Sequence, residues 1–180
     1  MIEPHKRIRV WDLFVRIFHW SLVVIFLANF ALNEEGDDWH RWLGYAAVIL
    51  LFGRLVWGFI GPLPARWSSF WPSPSRLAAY WKGAYSPPVI THNPIGAVMM
   101  IILMFLILGL GVTGYMMQEI DYFWGEDWLE EVHEVMANTI LMLVPLHVLG
   151  AVKDSFHKQD NLIAAMFHGY RNKSTSGNKE

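Results

Sequence analysis

The reactive side chains of this sequence are nitrogen and oxygen donors. Eight histidines and no cysteine are present, which excludes disulfides, thiolate metal sites, iron–sulfur clusters and covalently attached haem. The histidine spacing carries information. His133 and His147 are fourteen residues apart, close to four helical turns, so on a helix they share a face about 21 Å apart along the axis. His40 and Arg54 repeat that interval, and His19 follows Arg16 by three residues inside an apolar run. Imidazoles so placed can ligate a metal, relay protons or merely pack. His133-Glu134 opens like a zinc-protease helix, but the second ligand position is Ala137. No phosphate-binding glycine loop, dinucleotide fingerprint or histidine–carboxylate facial triad occurs.

The elements that must position these groups follow from composition. Of 180 residues, 54% are hydrophobic and only 17% charged, against roughly 25% charged in soluble domains. A chain of this size cannot hide so much apolar surface in one aqueous core, and disorder is excluded for the same reason. A net charge of −2 speaks against nucleic acid as a partner. Four stretches are long and apolar enough to cross a bilayer: about 14–32, 42–60, 95–117 and 135–153. The expected fold is all-α, a transmembrane four-helix bundle forming a single integral-membrane domain over 1–180. The first span exceeds the usual core of a signal peptide and no small-x-small site follows it, so it is read as retained.

Charge sets the expected orientation. The segments NEEGDDWHR and QEIDYFWGEDWLEEVHE hold eleven of the sixteen acidic residues, whereas the N-terminal arm, the middle connection and the tail hold twelve of the fourteen basic ones. The positive-inside rule then places both termini in the cytoplasm of a bacterium, with the chain in its inner membrane and lipid around it. PSRLAAYWKGAY in the middle connection and Asp154 to Tyr170 in the tail are expected to form short interfacial helices. The last ten residues are expected to lack structure.

That orientation sorts the histidines by depth. His19 and His147 fall at the cytoplasmic level, His40 and His133 at the outer level. Two imidazoles from different helices at one depth can clamp a haem iron from both faces, and two such pairs would stack two haems across the membrane. Gly44 and Gly150 would leave room for a porphyrin, although helix packing explains glycines equally well. Arg54 is a charge inside a span and needs a partner. A haem propionate would serve, as would an inner headgroup reached by snorkelling. Arg16 and Arg41 are candidates for the same propionate role. His5, His157 and His168 are expected to be solvated.

The chain resembles the prokaryotic cytochrome b561 and nickel–iron hydrogenase cytochrome b family. VWDLFVRIFHW resembles its entry into the first helix with the ligand His19. WHRWLGYAAVILLFGRLVWGFIG resembles the second, with His40, Arg54, Trp57 and Gly58. THNPIGAVM resembles the start of the third, HEVMANTILMLVPLH the fourth with His133 and His147, and NLIAAMFHGYR the closing segment. The resemblance implies two non-covalent haem b groups and electron transport linked to the quinone pool. It also implies a periplasmic redox partner, such as a c-type cytochrome or a hydrogenase. Membrane oxidation of superoxide with quinone as acceptor is a stand-alone alternative. A non-redox anchor or a proton-conducting protein is an alternative of another class. A quinone would be placed near the inner haem, where His92 and Asn93 could hydrogen-bond its carbonyl. Asn93 could equally cap the third helix, with Pro94 at its first position. The outer acids, Glu34, Glu35, Asp37, Asp38, Glu126, Asp127, Glu130 and Glu131, would steer a basic partner or simply reflect topology.

Overall fold

The computed structural model describes residues 7–32, 36–86 and 91–172. Four long helices dominate: α1 (Leu13–Ala31) and α2 (Asp38–Ile60), then α5 (Pro94–Glu119) and α6 (Asp127–Lys158). Between the two pairs lie α3 (Trp67–Phe70) and α4 (Pro74–Trp81), and after them comes α7 (Leu162–His168). Two short strands, β1 (Arg7–Arg9) and β2 (Tyr170–Asn172), pair antiparallel.

The helix starts are written locally. Asp12 accepts from the Val15 amide at 3.1 Å, Asp37 from that of His40 at 2.5 Å and Asn93 from that of Gly96 at 2.6 Å. Each thereby satisfies a donor that a helix N-terminus leaves unpaired. Pro94 occupies the first turn of α5, where a missing N–H costs nothing. All four long helices are apolar enough to span a membrane. Their outward faces, with Val24, Ile49, Phe52, Phe105 and Met142 among the most exposed side chains, would be an aggregation surface in water and are ordinary in lipid.

α6 begins eight residues before its expected apolar start at 135. The helix does not stop where the hydrophobic run does: Asp127 and Glu130 in its first turn complement the positive end of the helix dipole. His133 therefore sits in the second turn rather than at the entry. Pro145 lies inside α6, two residues before His147, and leaves the Leu141 carbonyl without its helical donor.

The tail corrects the expectation of a single interfacial helix over 154–170 and of an unstructured end from 171. α6 runs on to Lys158 and stops at Gln159, whose φ of 49° is left-handed. Asn161 caps α7 by accepting from Ala164 N at 2.9 Å. Gly169 then turns the chain with φ of 87°, its carbonyl accepting from the Val10 and Trp11 amides. A Cβ at Gly169 would lie 2.5 Å from the Trp11 carbonyl oxygen, so the turn requires glycine. Arg171 and Asn172 belong to β2. Residues 173–180 lie outside the described residues, as do the expected outer acids Glu34 and Glu35. Of the helix expected over PSRLAAYWKGAY in the middle connection, the structure forms Pro74–Trp81 as α4.

These contacts tie the N-terminal arm, the middle connection and the tail together at one end of the bundle, the basic end. Arg171 is buried there, donating to Asp160 at 2.7 Å and to the Thr91 carbonyl at 3.2 Å. Asp160 also accepts from the Asn172 amide. The other two connections meet at the opposite, acidic end, where Tyr45 donates to Glu119 at 2.7 Å. Breaking a buried pair from one side strands a charge, so Arg171→Met is expected to cost about 3–5 kcal/mol in chemical unfolding of the detergent-solubilised protein. The double variant Arg171→Met/Asp160→Leu should lose distinctly less than Arg171→Met alone.

Candidate functional site

Each of the four long helices except α5 contributes a histidine to a facing pair. His19 on α1 and His147 on α6 have ring centres 6.4 Å apart with planes tilted by 41°. His40 on α2 and His133 on α6 have ring centres 6.1 Å apart with planes tilted by 52°. A metal ion bonded to an imidazole nitrogen on either side at about 2.0 Å holds the ring centres about 6 Å apart. Both separations meet that requirement. The first pair lies toward the basic end, the second toward the acidic end.

The donor set narrows what could be held. Among the described residues no group of three or more His, Cys, Asp or Glu is placed to hold a metal ion. Each pair offers two nitrogens, so a metal between them would need further ligands from elsewhere, and the macrocycle of a haem supplies four. The space fits as well. A cavity of about 520 Å³ at the acidic end is lined by His40, Gly44, Gly111, Gly114, His133 and Ala137 among others, within the range of cofactor pockets. A Cβ built on Gly44 would meet nothing within 4 Å. Gly150 also has open space around it but is exposed.

The arginines differ in their surroundings. Arg54 is 2% exposed. Its guanidinium lies 4.5 Å from the centre of the Trp67 ring, and its Nη2 donates to the Ala65 carbonyl at 3.1 Å. It is thus folded under α3 and the turn before it, not extended to headgroups. Its Nη1 is buried without a partner. Arg16 donates through Nη1 to the Phe167 carbonyl, anchoring α7, while its Nε is buried and unpaired. Arg41 pairs with Asp38 at 2.6 Å and lines the cavity at the acidic end.

At the basic end His92 packs against Trp11 and Phe70, ring centres 4.7 and 5.2 Å away. Burial, and then the charge of Arg54, push its pKa down to about 3, so the ring is neutral at physiological pH. Its Nδ1 and the Thr91 hydroxyl are buried without partners. Asn93 is committed on both sides of its amide: Oδ1 caps α5, and Nδ2 donates to Asp154 at 2.5 Å. Among the described residues, Arg16 Nε, His19 Nδ1, Arg54 Nη1, Thr91 Oγ1 and His92 Nδ1 are all unpaired buried polar atoms at this end. Native interiors pair nearly all such groups, and these fit polar substituents brought by a bound molecule.

Sequence reasoning missed two contributors. Trp67 was only one of several tryptophans, yet it donates to the Leu55 carbonyl at 3.1 Å and provides the platform under Arg54. Gly58 makes room for it, since a Cβ there would lie 1.8 Å from Trp67 Nε1. Thr113 bonds to His133 across twenty residues of sequence; a polar residue in the apolar run of α5 is the signal that could have found it. Gly58→Ala is expected to destabilise by about 1–3 kcal/mol through overpacking. Gly150→Ala, whose Cβ meets nothing, should change stability by no more than about 1 kcal/mol and in the stabilising direction. Parallel unfolding curves check both.

The model of the prokaryotic cytochrome b561 family matches residues 10–169. Searches of curated proteins and of solved structures give no match.

Proposed function

Because the chain belongs to the prokaryotic cytochrome b561 family, a haem b-binding family of membrane electron carriers, we propose that it acts as one dihaem domain. In this reading it carries electrons between the quinone pool and a periplasmic redox protein. The observation that carries the reading is the pair of imidazole separations, 6.4 and 6.1 Å, at two depths of one bundle. Haem b, when bound, supplies one-electron exchange at iron in an apolar setting.

In the proposal His19 and His147 hold the inner group, and His40 and His133 the outer one. Arg54 and Arg16 balance propionates at the inner level, which their unpaired buried nitrogens favour. Arg41 does so at the outer level from the cavity wall. With haem bound, these cations would favour the reduced iron, and the four imidazoles would supply its protein ligands. Gly44 and the small residues facing it keep the outer space clear. Both termini are assigned to the cytoplasm because the basic arm, connection and tail share one end. The acidic end then faces the periplasm, where Asp37, Asp38, Glu126 and Asp127 would steer a basic partner such as a c-type cytochrome or the basic face of a hydrogenase. His92 is our candidate for binding a quinone carbonyl at the inner level. A neutral ring can donate there, whereas the Asn93 amide is already engaged.

A redox difference spectrum of the purified protein with haem quantification is expected to give two haem b per chain. His19→Ala and His40→Ala should each lower the content to about one. A colourless preparation, made with ample haem supply, overturns the proposal.

His92→Phe is expected to slow haem reduction by quinol at least about tenfold, the scale of one lost hydrogen bond of about 1.4 kcal/mol. The dithionite-reduced spectrum should stay as in the parent protein. An unchanged quinol rate removes the quinone site from this position.

A further inference from the structure

α5 supplies no member of either histidine pair, yet it carries a buried hydroxyl aimed at one of them. Thr113 is 7% exposed, and its Oγ1 lies 2.7 Å from His133 Nδ1. The same oxygen lies 2.9 Å from the Gly109 carbonyl and 3.2 Å from that of Leu110. A threonine hydroxyl has one proton to give and two lone pairs to receive with. In a helix that proton goes back to the carbonyl one turn earlier, which leaves a lone pair to accept from the imidazole.

That direction has consequences for the ring. A His133 that donates through Nδ1 holds its proton there, leaving the Nε2 lone pair free as a ligand. Gly114, the next residue on α5, also lies beside the ring: a Cβ there would stand 3.5 Å from His133 Cε1, at ordinary van der Waals contact. The hydroxyl contact to Nδ1 sets the rotation of the imidazole. The rings of His19 and His40 differ, because their Nδ1 atoms are buried with no partner. One ring of the outer pair therefore has a built support that its partner His40 lacks.

We propose that Thr113 is a positioning residue for His133. It fixes the Nδ1–H tautomer, aims Nε2 toward His40 and makes this imidazole the more electron-donating ligand of its pair. An acceptor on the far nitrogen raises the basicity of a metal-bound imidazole. A more basic ligand favours oxidised over reduced iron, so Thr113 lowers the reduction potential of the outer group. This inference rests on the reading of His40 and His133 as a ligand pair.

The test is a redox titration of the purified, haem-loaded protein followed by absorbance, comparing Thr113→Val, Thr113→Ser and the parent. Valine keeps the shape without the hydroxyl; serine keeps the hydroxyl. Thr113→Val is expected to move one of the two haem components to higher potential. The expected size is an about tenfold change in its reduced-to-oxidised ratio at fixed ambient potential, which is about 59 mV for one electron. The other component should stay in place, and Thr113→Ser should titrate like the parent. Loss of one component in Thr113→Val but not in Thr113→Ser supports the proposal equally. No shift, a shift of both components, or identical behaviour of the two variants overturns it. His133→Ala separates this from the underlying reading: if both components survive that change, the ligand assignment itself fails, whatever Thr113 does.

Discussion

A bilayer offers no water to a stranded polar atom, so each ionisable group at membrane depth must be held by the protein or by something the protein binds. This constraint organises the whole molecule. Arg54 lies over an indole and against a carbonyl because a bare guanidinium at its depth would be prohibitive. The imidazoles face one another across the bundle because only its interior can accept them. Their separations of 6.4 and 6.1 Å are too wide for a direct hydrogen bond between ring centres so placed and suited to a shared metal. By the same demand, the unpaired buried guanidinium nitrogens of Arg16 and Arg54 fit the propionates of the proposed inner group.

Specific stabilisation is unevenly distributed along the bundle. Its shaft holds few fully buried side chains, with Phe18, Leu51 and Met104 forming one small cluster among α1, α2 and α5. Between apolar helices in lipid there is little hydrophobic gain from such packing. The basic end compensates with directed contacts: the β1–β2 ribbon, the Asp160–Arg171 pair, Trp20 donating to the Met166 carbonyl at 3.3 Å, and Trp57 donating to Asp12 at 3.2 Å. A second cluster of Val10, Trp11, Val15, Ala65 and Ala165 seals it. The acidic end has instead the open cavity and a rim that includes Trp124 and Glu130. One end is clasped and the other accessible, which matches a proposed exchange of electrons with a soluble partner on the accessible side.

The parts legible in sequence were those governed by one-dimensional rules. Helical rise and the alternation of basic and acidic connections place residues by depth, and depth alone brought His19 to His147 and His40 to His133. The cap expected at Asn93 follows from local chemistry and is observed. What stayed hidden depends on contacts between distant segments. RIR and YRN are too short for any periodicity to register, and they pair across almost the whole chain. Arg171 looked like one more tail cation because nothing local reveals Asp160 and Thr91 around it. The start of α6 was missed because hydropathy marks where the lipid begins, whereas the helix is set by hydrogen bonds and its dipole.

The helix that supplies no histidine to either pair has the strongest claim to be the one that sets the geometry. α6 carries a histidine from each level, so any tilt or rotation of α6 moves both pairs at once, and Pro145 weakens it just before His147. Something outside α6 must therefore fix its pose, and α5 is its long neighbour. The two helices touch there: Met136 of α6 lays its thioether against Gly109, where a Cβ would stand 2.6 Å from Sδ. One turn further along, Thr113 reaches His133. Met136 packs into the space that Gly109 leaves, and the hydroxyl at Thr113 fixes the rotation of the ring. α1 and α2 need then supply only a facing imidazole each. Three helices that present side chains and one that aligns them make an economical way to hold two sites in a bundle this thin.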